Sequence, residues 1–254
     1  MTAVPHSLWM LDLTSNVVTK FITPGASHNP IWSSDGALIT YQADRATPGM
    51  YQRRADGSST EVLLAPYPPK TVVQATSWSA DGRYMLGEEQ FETDRNIVLF
   101  DRTTGAAPKP WLATAAAETA AQISPDGKWV AYSSNASKRN EIYVRPLSQQ
   151  LAGVWQVSTA GGDQPAWSKD GTELFYRDGA GMIALPVKGA DGAAFVAGRA
   201  QRLFEGQFYR RTVAGRDYDV FPDGKSFLML LNLEHSAPAQ FRVMTEWQNS
   251  IRRD

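Results

Sequence analysis

The chain has 254 residues, 43% of them hydrophobic and 20% charged, with a formal net charge of −1. Folding at this length buries roughly three quarters of the unfolded surface, so a sizeable core needs no covalent staple. The absence of cysteine excludes disulfides, thiolate metal sites and a cysteine nucleophile. The even charge balance lacks the basic excess of a nucleic-acid binder, and no run reaches the ~18 apolar residues of a membrane span.

In chain order, the opening MTAVPHSLWMLDL lacks a basic stretch followed by an apolar one and does not read as a signal peptide. Two strands are expected first, Leu8 to Leu13 and Val17 to Ile22. A repeat then begins: Trp32-Ser-Ser-Asp35-Gly36, Trp78-Ser-Ala-Asp81-Gly82, Ile123-Ser-Pro-Asp126-Gly127, Trp167-Ser-Lys-Asp170-Gly171 and, more worn, Val220-Phe-Pro-Asp223-Gly224. Successive aspartates lie 46, 45, 44 and 53 residues apart. This is the period of a four-stranded propeller blade. In each unit a first strand enters the Asp-Gly turn, where glycine supplies the positive φ and aspartate bonds the turn backbone.

Second strands follow with period-2 alternation, as in Ala37 to Tyr41 and Trp129 to Ser133, with Tyr41, Tyr132 and Tyr176 at matching places. Third and fourth strands are expected at Glu141 to Arg145 and Val154 to Val157. The Ala-rich run from Ala113 to Ala121 has no apolar stripe and reads as a loop between blades. The recurring Trp residues are expected to pack blade on blade, and the Asp-Gly pairs to be turn formers, not a carboxylate array. The fold expected is an all-β propeller of antiparallel blades forming one domain, residues 1–254. It has five blades, the last closed by the N-terminal strands, or is part of a six-bladed ring. Gln240 to Met244 competes with Leu8 to Leu13 for the third position of the last blade.

The pattern Pro-x-Trp-Ser-x-Asp-Gly, an apolar strand ending in Tyr, then Ile142-Tyr-Val-Arg-Pro146, resembles the TolB-like (PD40, WD-repeat-like) propellers. More closely, Leu8-Trp-Met-Leu-Asp-Leu13, Gln164-Pro-Ala-Trp167, Glu173-Leu-Phe-Tyr176 and Tyr218-Asp-Val220 resemble the C-terminal propeller of some bacterial serine/threonine protein kinases. Such relatives usually carry one further blade upstream. No kinase motif is present, so the resemblance implies a non-catalytic sensing or interaction module, placed outside the cytoplasm if it is part of such a parent. The partner expected is a protein or peptide, with no membrane insertion by this chain and a monomer if the ring closes.

Catalytic chemistry finds little to work with. Three histidines, His6, His28 and His235, are too few for the multi-histidine metal sites that some polysaccharide lyases build on propellers. No Gly-x-Ser-x-Gly elbow is present, and Gly224-Lys-Ser lacks the upstream glycine of a phosphate loop. No catalytic residue, metal ligand or cofactor is therefore assigned. Propeller geometry puts the fourth-to-first and second-to-third connections on one face, opposite the Asp-Gly turns. His28, Asn29, Gln74, Arg95, Gln122, Arg139, Gln164, Arg211 and Asp217 are thereby expected around one channel mouth, as a polar surface for a partner. The rival expectation is a glycan-active hydrolase or lyase using Asp217 and Asp219, which period-2 geometry places on one side of a strand. A third is the accessory propeller of a peptidase.

Overall fold

The computed structural model describes residues 7–22, 27–67, 70–148, 150, 152–188, 194–209, 215–230 and, for the backbone alone, 241–244. Among these the structure is all β, and no helix is long and apolar enough to cross a membrane. The chain divides into two compact units at Trp111/Leu112.

The first unit opens with a two-stranded antiparallel sheet, β1 (Trp9–Leu11) and β2 (Val18–Lys20). Two four-stranded antiparallel sheets follow, each ordered as in the sequence. One comprises β3 (Ser27–Trp32), β4 (Leu38–Ala43), β5 (Gly49–Arg54) and β6 (Val62–Pro66). The other comprises β7 (Thr71–Trp78), β8 (Tyr84–Phe91), β9 (Asp94–Asp101) and β10 (Lys109–Leu112).

The second unit has β11 (Glu118–Ile123), β12 (Trp129–Ser134), β13 (Glu141–Pro146) and β14 (Trp155–Gln156) in its first sheet. The next holds β15 (Asp163–Trp167), β16 (Glu173–Asp178) and β17 (Gly181–Lys188), with both β18 (Val196–Ala197) and β19 (Gln201–Glu205) pairing along β17. The last has β20 (Tyr218–Val220), β21 (Phe227–Leu230) and β22 (Phe241–Met244).

The hairpin between first and second strands explains why the repeat takes the residues it does. Each glycine has φ between +65° and +72°, a region costly for any residue with a Cβ. In four repeats the serine two places before the aspartate receives the amide of the residue five places on, at 2.8 to 2.9 Å. The same hydroxyl donates to the aspartate Oδ1 at 2.5 to 2.7 Å. That oxygen also accepts the amide two residues on. Ser33–Asp35, Ser79–Asp81 and Ser168–Asp170 hold their carboxyls below the usual range, the serine hydrogen bond being the leading cause. In the fifth repeat Phe221 stands where the serine would be, and Ser226 supplies the bond to Asp223 instead.

Interlocking apolar faces join neighbouring sheets inside each unit. Leu8 and Ile22 pack on Ile39, Tyr41 and Tyr51, and Met50 and Ala65 pack on Val73, Trp78, Met85 and Phe100. In the second unit Trp129, Ile142 and Val144 meet Leu174, Tyr176 and Phe195. Phe175 and Met182 meet Tyr218, Phe227 and Met229.

Three sequence expectations need correction. β11 begins at Glu118, so the Ala-rich run is half loop and half first strand; Ala120 and Ala121 are small because they are buried there. The N-terminal strands do not occupy the third position of the last sheet among the described residues. β22 holds that place against β21, while β1 pairs with β2. The repeated Trp is not uniformly buried either. Trp78 is 8% exposed and Trp32 is 51% exposed. Trp167, partly buried, donates from its Nε1 to the Gln122 carbonyl on the first strand of the preceding sheet, at 3.1 Å. Among the described residues the sheet preceding β3 is β1–β2, whose two strands pair with each other.

Candidate functional site

Of the described polar residues singled out from the sequence, most lie toward the end of a sheet where the first strand begins, while Gln122 is next to last in β11. Four first strands carry a β-bulge, between His28 and Ile31, Ala75 and Ser77, Thr119 and Gln122, and Asp163 and Ala166. In three of them a residue six places before the repeat aspartate adopts a positive φ: Asn29 (50°), Ala120 (53°) and Gln164 (54°). A bulge with a left-handed residue re-aims the side chain that follows the kink, and asparagine tolerates that backbone best.

In the first unit the Asn29 amide donates to Gln74 Oε1, a residue of the next sheet, and to Gln42 Oε1 at 3.3 Å. Gln74 stands directly opposite Glu88 in the β7–β8 register, and Glu88, fully buried, accepts from Arg95 at 2.8 Å. Asn29, Gln42, Gln74, Glu88 and Arg95 thus line one end of adjoining sheets. His28, half-buried, lies with Nε2 3.8 Å from Asp44.

In the second unit a matching link spans sheets. Gln164 Nε2 donates to Asp217 Oδ2 at 2.9 Å, and the Asp217 amide donates back to Gln164 Oε1 at 3.3 Å. Both residues are buried, and Tyr218 closes the group by donating its hydroxyl to the Gln164 carbonyl at 2.7 Å. Burial pushes the Tyr218 phenol well above its ordinary range. Arg216 donates to Gln122 Oε1 at 3.3 Å and to Asp219 at 2.7 Å, joining the first and last sheets of the unit.

Arg139 belongs to a separate group. Its exposed guanidinium bonds buried Glu141 and the Thr159 carbonyl, and Glu141 also accepts from Ser158 and the Gly161 amide. Arg211 lies outside the described residues, as do His6 and His235.

The residues expected to gather therefore fall into three groups, one in the first unit and two in the second. Taken one by one, Gln42 and Glu141 carry no sequence signal that singles them out, while Glu88 and Arg216 stand in charged runs that read as solvated loops; Glu88 is instead buried within β8. Gln42 and Glu88 both stand seven residues after a repeat aspartate, a correspondence that would have found them.

The carboxylate pair nominated for catalysis is also placed. Asp217 lies just before β20, so strand alternation starts only at Tyr218. Asp217 is buried on Gln164, whereas Asp219 is exposed and paired with Arg216. Among the described residues no three His, Cys, Asp or Glu side chains converge as a metal site.

Antiparallel sheets laid first strand to last, each entered through an Asp-Gly hairpin and packed face to face within a unit, define the β-propeller class. No protein-family model and no curated protein sequence matches the chain. Among solved structures it is similar to TolB from Acinetobacter baumannii, with 16% identity and a TM-score of 0.71 over 94% of this chain and 57% of that one. The chain thus spans little more than half the length of that TolB. A putative TolB from Agrobacterium tumefaciens matches with 17% identity and a TM-score of 0.65 over 86% of this chain and 80% of that one. An oligogalacturonate lyase in complex with manganese matches with 14% identity and a TM-score of 0.61, covering 94% and 82% of the two chains. What is shared at these identities is the fold, which is a TolB-like β-propeller.

Proposed function

We propose that this chain is a non-catalytic binding module that engages a protein or peptide with the end at which its first strands begin. The observation that carries the reading is the pair of cross-sheet links, Asn29 to Gln74 and Gln164 to Asp217. Each fixes polar side chains on rigid strands and leaves flanking charges on the rim, Asp44 in the first unit and Arg139 and Asp219 in the second. Groups held in place before contact lose little freedom on binding. Scaffold-mounted loops are also where binding residues concentrate. Asp217 and Asp219 are committed to Gln164 and Arg216, which favours binding over glycan hydrolysis or elimination.

In this reading the chain works as one propeller domain, residues 1–254, without a cofactor, in a larger bacterial signalling or envelope protein with this part outside the cytoplasm. The test is retrieval of partners from bacterial extract on the immobilised chain, followed by calorimetry with each purified partner. Arg139→Glu with Asp219→Lys is expected to weaken binding at least tenfold, while Lys169→Glu with Lys225→Glu at the Asp-Gly end leaves it unchanged. Equal affinity across all three proteins would refute the placement.

A further inference from the structure

The first unit contains a pocket beside a sheet whose second strand departs from the repeat's tyrosine. Three second strands carry tyrosine six residues after the repeat aspartate, paired across to the third strand as Tyr41–Tyr51, Tyr132–Tyr143 and Tyr176–Ile183. The first two pairs stack, with ring centroids 6.4 and 5.8 Å apart. In the β7–β10 sheet the same pair is Gly87–Val98. Phe100 and Val73 close over Gly87, where a Cβ would lie 3.2 and 3.1 Å from them, so a tyrosine does not fit there. Between this face and the β5–β6 edge of the preceding sheet remains a cavity of about 450 Å³. That is within the roughly 300–1,000 Å³ typical of small-molecule sites.

Met50, Ala65, Val73 and Phe100 form its apolar walls, and residues 105–108 form part of its rim. Two polar groups face this lining. The Tyr67 hydroxyl is buried and has no hydrogen-bond partner among the described residues. Burial, and secondarily the charge of Asp44, raise its pKa, so it stays neutral. Glu89 projects from the same strand face as Gly87 at a position where other repeats carry Ala43, Ser134 and Asp178. It is half-buried and takes part in none of the ion pairs among the described residues.

We infer that this pocket binds a small organic cation: an ammonium group on a short aromatic body. The ring lies between the apolar walls of Met50, Ala65, Val73 and Phe100, the ammonium meets the Glu89 carboxylate, and the Tyr67 hydroxyl gains a partner. Apolar walls with one carboxylate and one neutral hydroxyl select against anions and against fully polar solutes. The inference is independent of the binding-module reading, because it concerns a different surface and a different class of ligand.

Phenethylamine, with 2-phenylethanol as its neutral match, probes it by saturation-transfer NMR and calorimetry on the full chain. Saturable binding of the amine is expected, with the alcohol at least tenfold weaker. Glu89→Gln should weaken the amine at least tenfold and leave the alcohol unchanged, since a charge-assisted hydrogen bond is lost. Ala107→Trp at the exposed rim should weaken both, and Tyr67→Phe provides a second variant if that protein does not fold. Absence of saturable amine binding by the folded wild-type chain overturns the inference. So does equal binding of amine and alcohol, or amine binding indifferent to Glu89→Gln.

Discussion

Trp32 and Trp78 occupy the same place in consecutive repeats and lie in the same compact unit, yet truncation to alanine should affect stability very differently. An indole residue buries up to about 250 Å². Exposures of 51% for Trp32 and 8% for Trp78 therefore leave a difference of roughly 100 Å² of surface withdrawn from water, about 2.5 kcal/mol at ~25 cal/mol per Å². The unfolded reference is less extended than such areas assume, which brings this nearer 2 kcal/mol. Trp78 also packs with Met85 and Phe100 beneath the Arg102 guanidinium, 5.1 Å from its ring, so its removal leaves a cavity that Trp32 does not. Trp78→Ala is expected to cost about 3–5 kcal/mol and Trp32→Ala roughly 1–2 kcal/mol. Urea denaturation followed by circular dichroism measures both, with a common m-value as the check on two-state behaviour. Equal losses, or a larger loss at Trp32, would refute the account in which the loss follows the surface each indole withdraws from water.

Three further outcomes follow from the hydrogen bonds and charges. Ser168→Ala removes a hydroxyl that takes the Glu173 amide and supports Asp170, and should cost about 1–2 kcal/mol; Ser226→Ala tests whether the fifth turn depends equally on its substitute donor. Gln164→Ala leaves Asp217 buried without either of its bonds to that side chain and should destabilise the second unit by about 1–3 kcal/mol in thermal unfolding. Burial raises the Glu118 carboxyl above its ordinary 4.5, against the pull of Thr114 and Arg145. Its folded form thus holds the proton more tightly than the unfolded chain does. Its contribution is full below pH 4.5 and is lost as pH rises through the folded pKa. Glu118→Gln should therefore gain stability relative to wild type as pH is raised from 4 to 7 in urea titrations; a constant difference over about that interval would contradict the sign.

The architecture was legible because its signals are local. A Trp-Ser-x-Asp-Gly segment closes its own hairpin through bonds spanning five residues or fewer, so the sequence contains the whole interaction. The second and third strands were legible for a similar reason, their alternation being written into residues such as Trp129 to Ser134. What the sequence hid lies between sheets. Trp32 is exposed and Trp78 buried at the same place in the repeat, and the Gln164–Asp217 link joins residues 53 positions apart. The left-handed backbone of Gln164 has no compositional mark, since glutamine is not a residue that seeks it. The departure of Gly87 from Tyr41, Tyr132 and Tyr176 is plain in the sequence, whereas the closure of Phe100 and Val73 over it belongs to the packing between strands.

The self-contained turns also bear on how such a chain finds its register. Hairpins that close within a dozen residues form on the microsecond scale, so several identical corners can appear before any of them has met its neighbour. Near-identical corners invite a strand to dock in the wrong slot, the characteristic hazard of arrays built from like parts. The fifth corner, with Phe221 in place of serine and Ser226 answering for it, is chemically unlike the other four. A chain in which one corner differs from the others carries its own register mark.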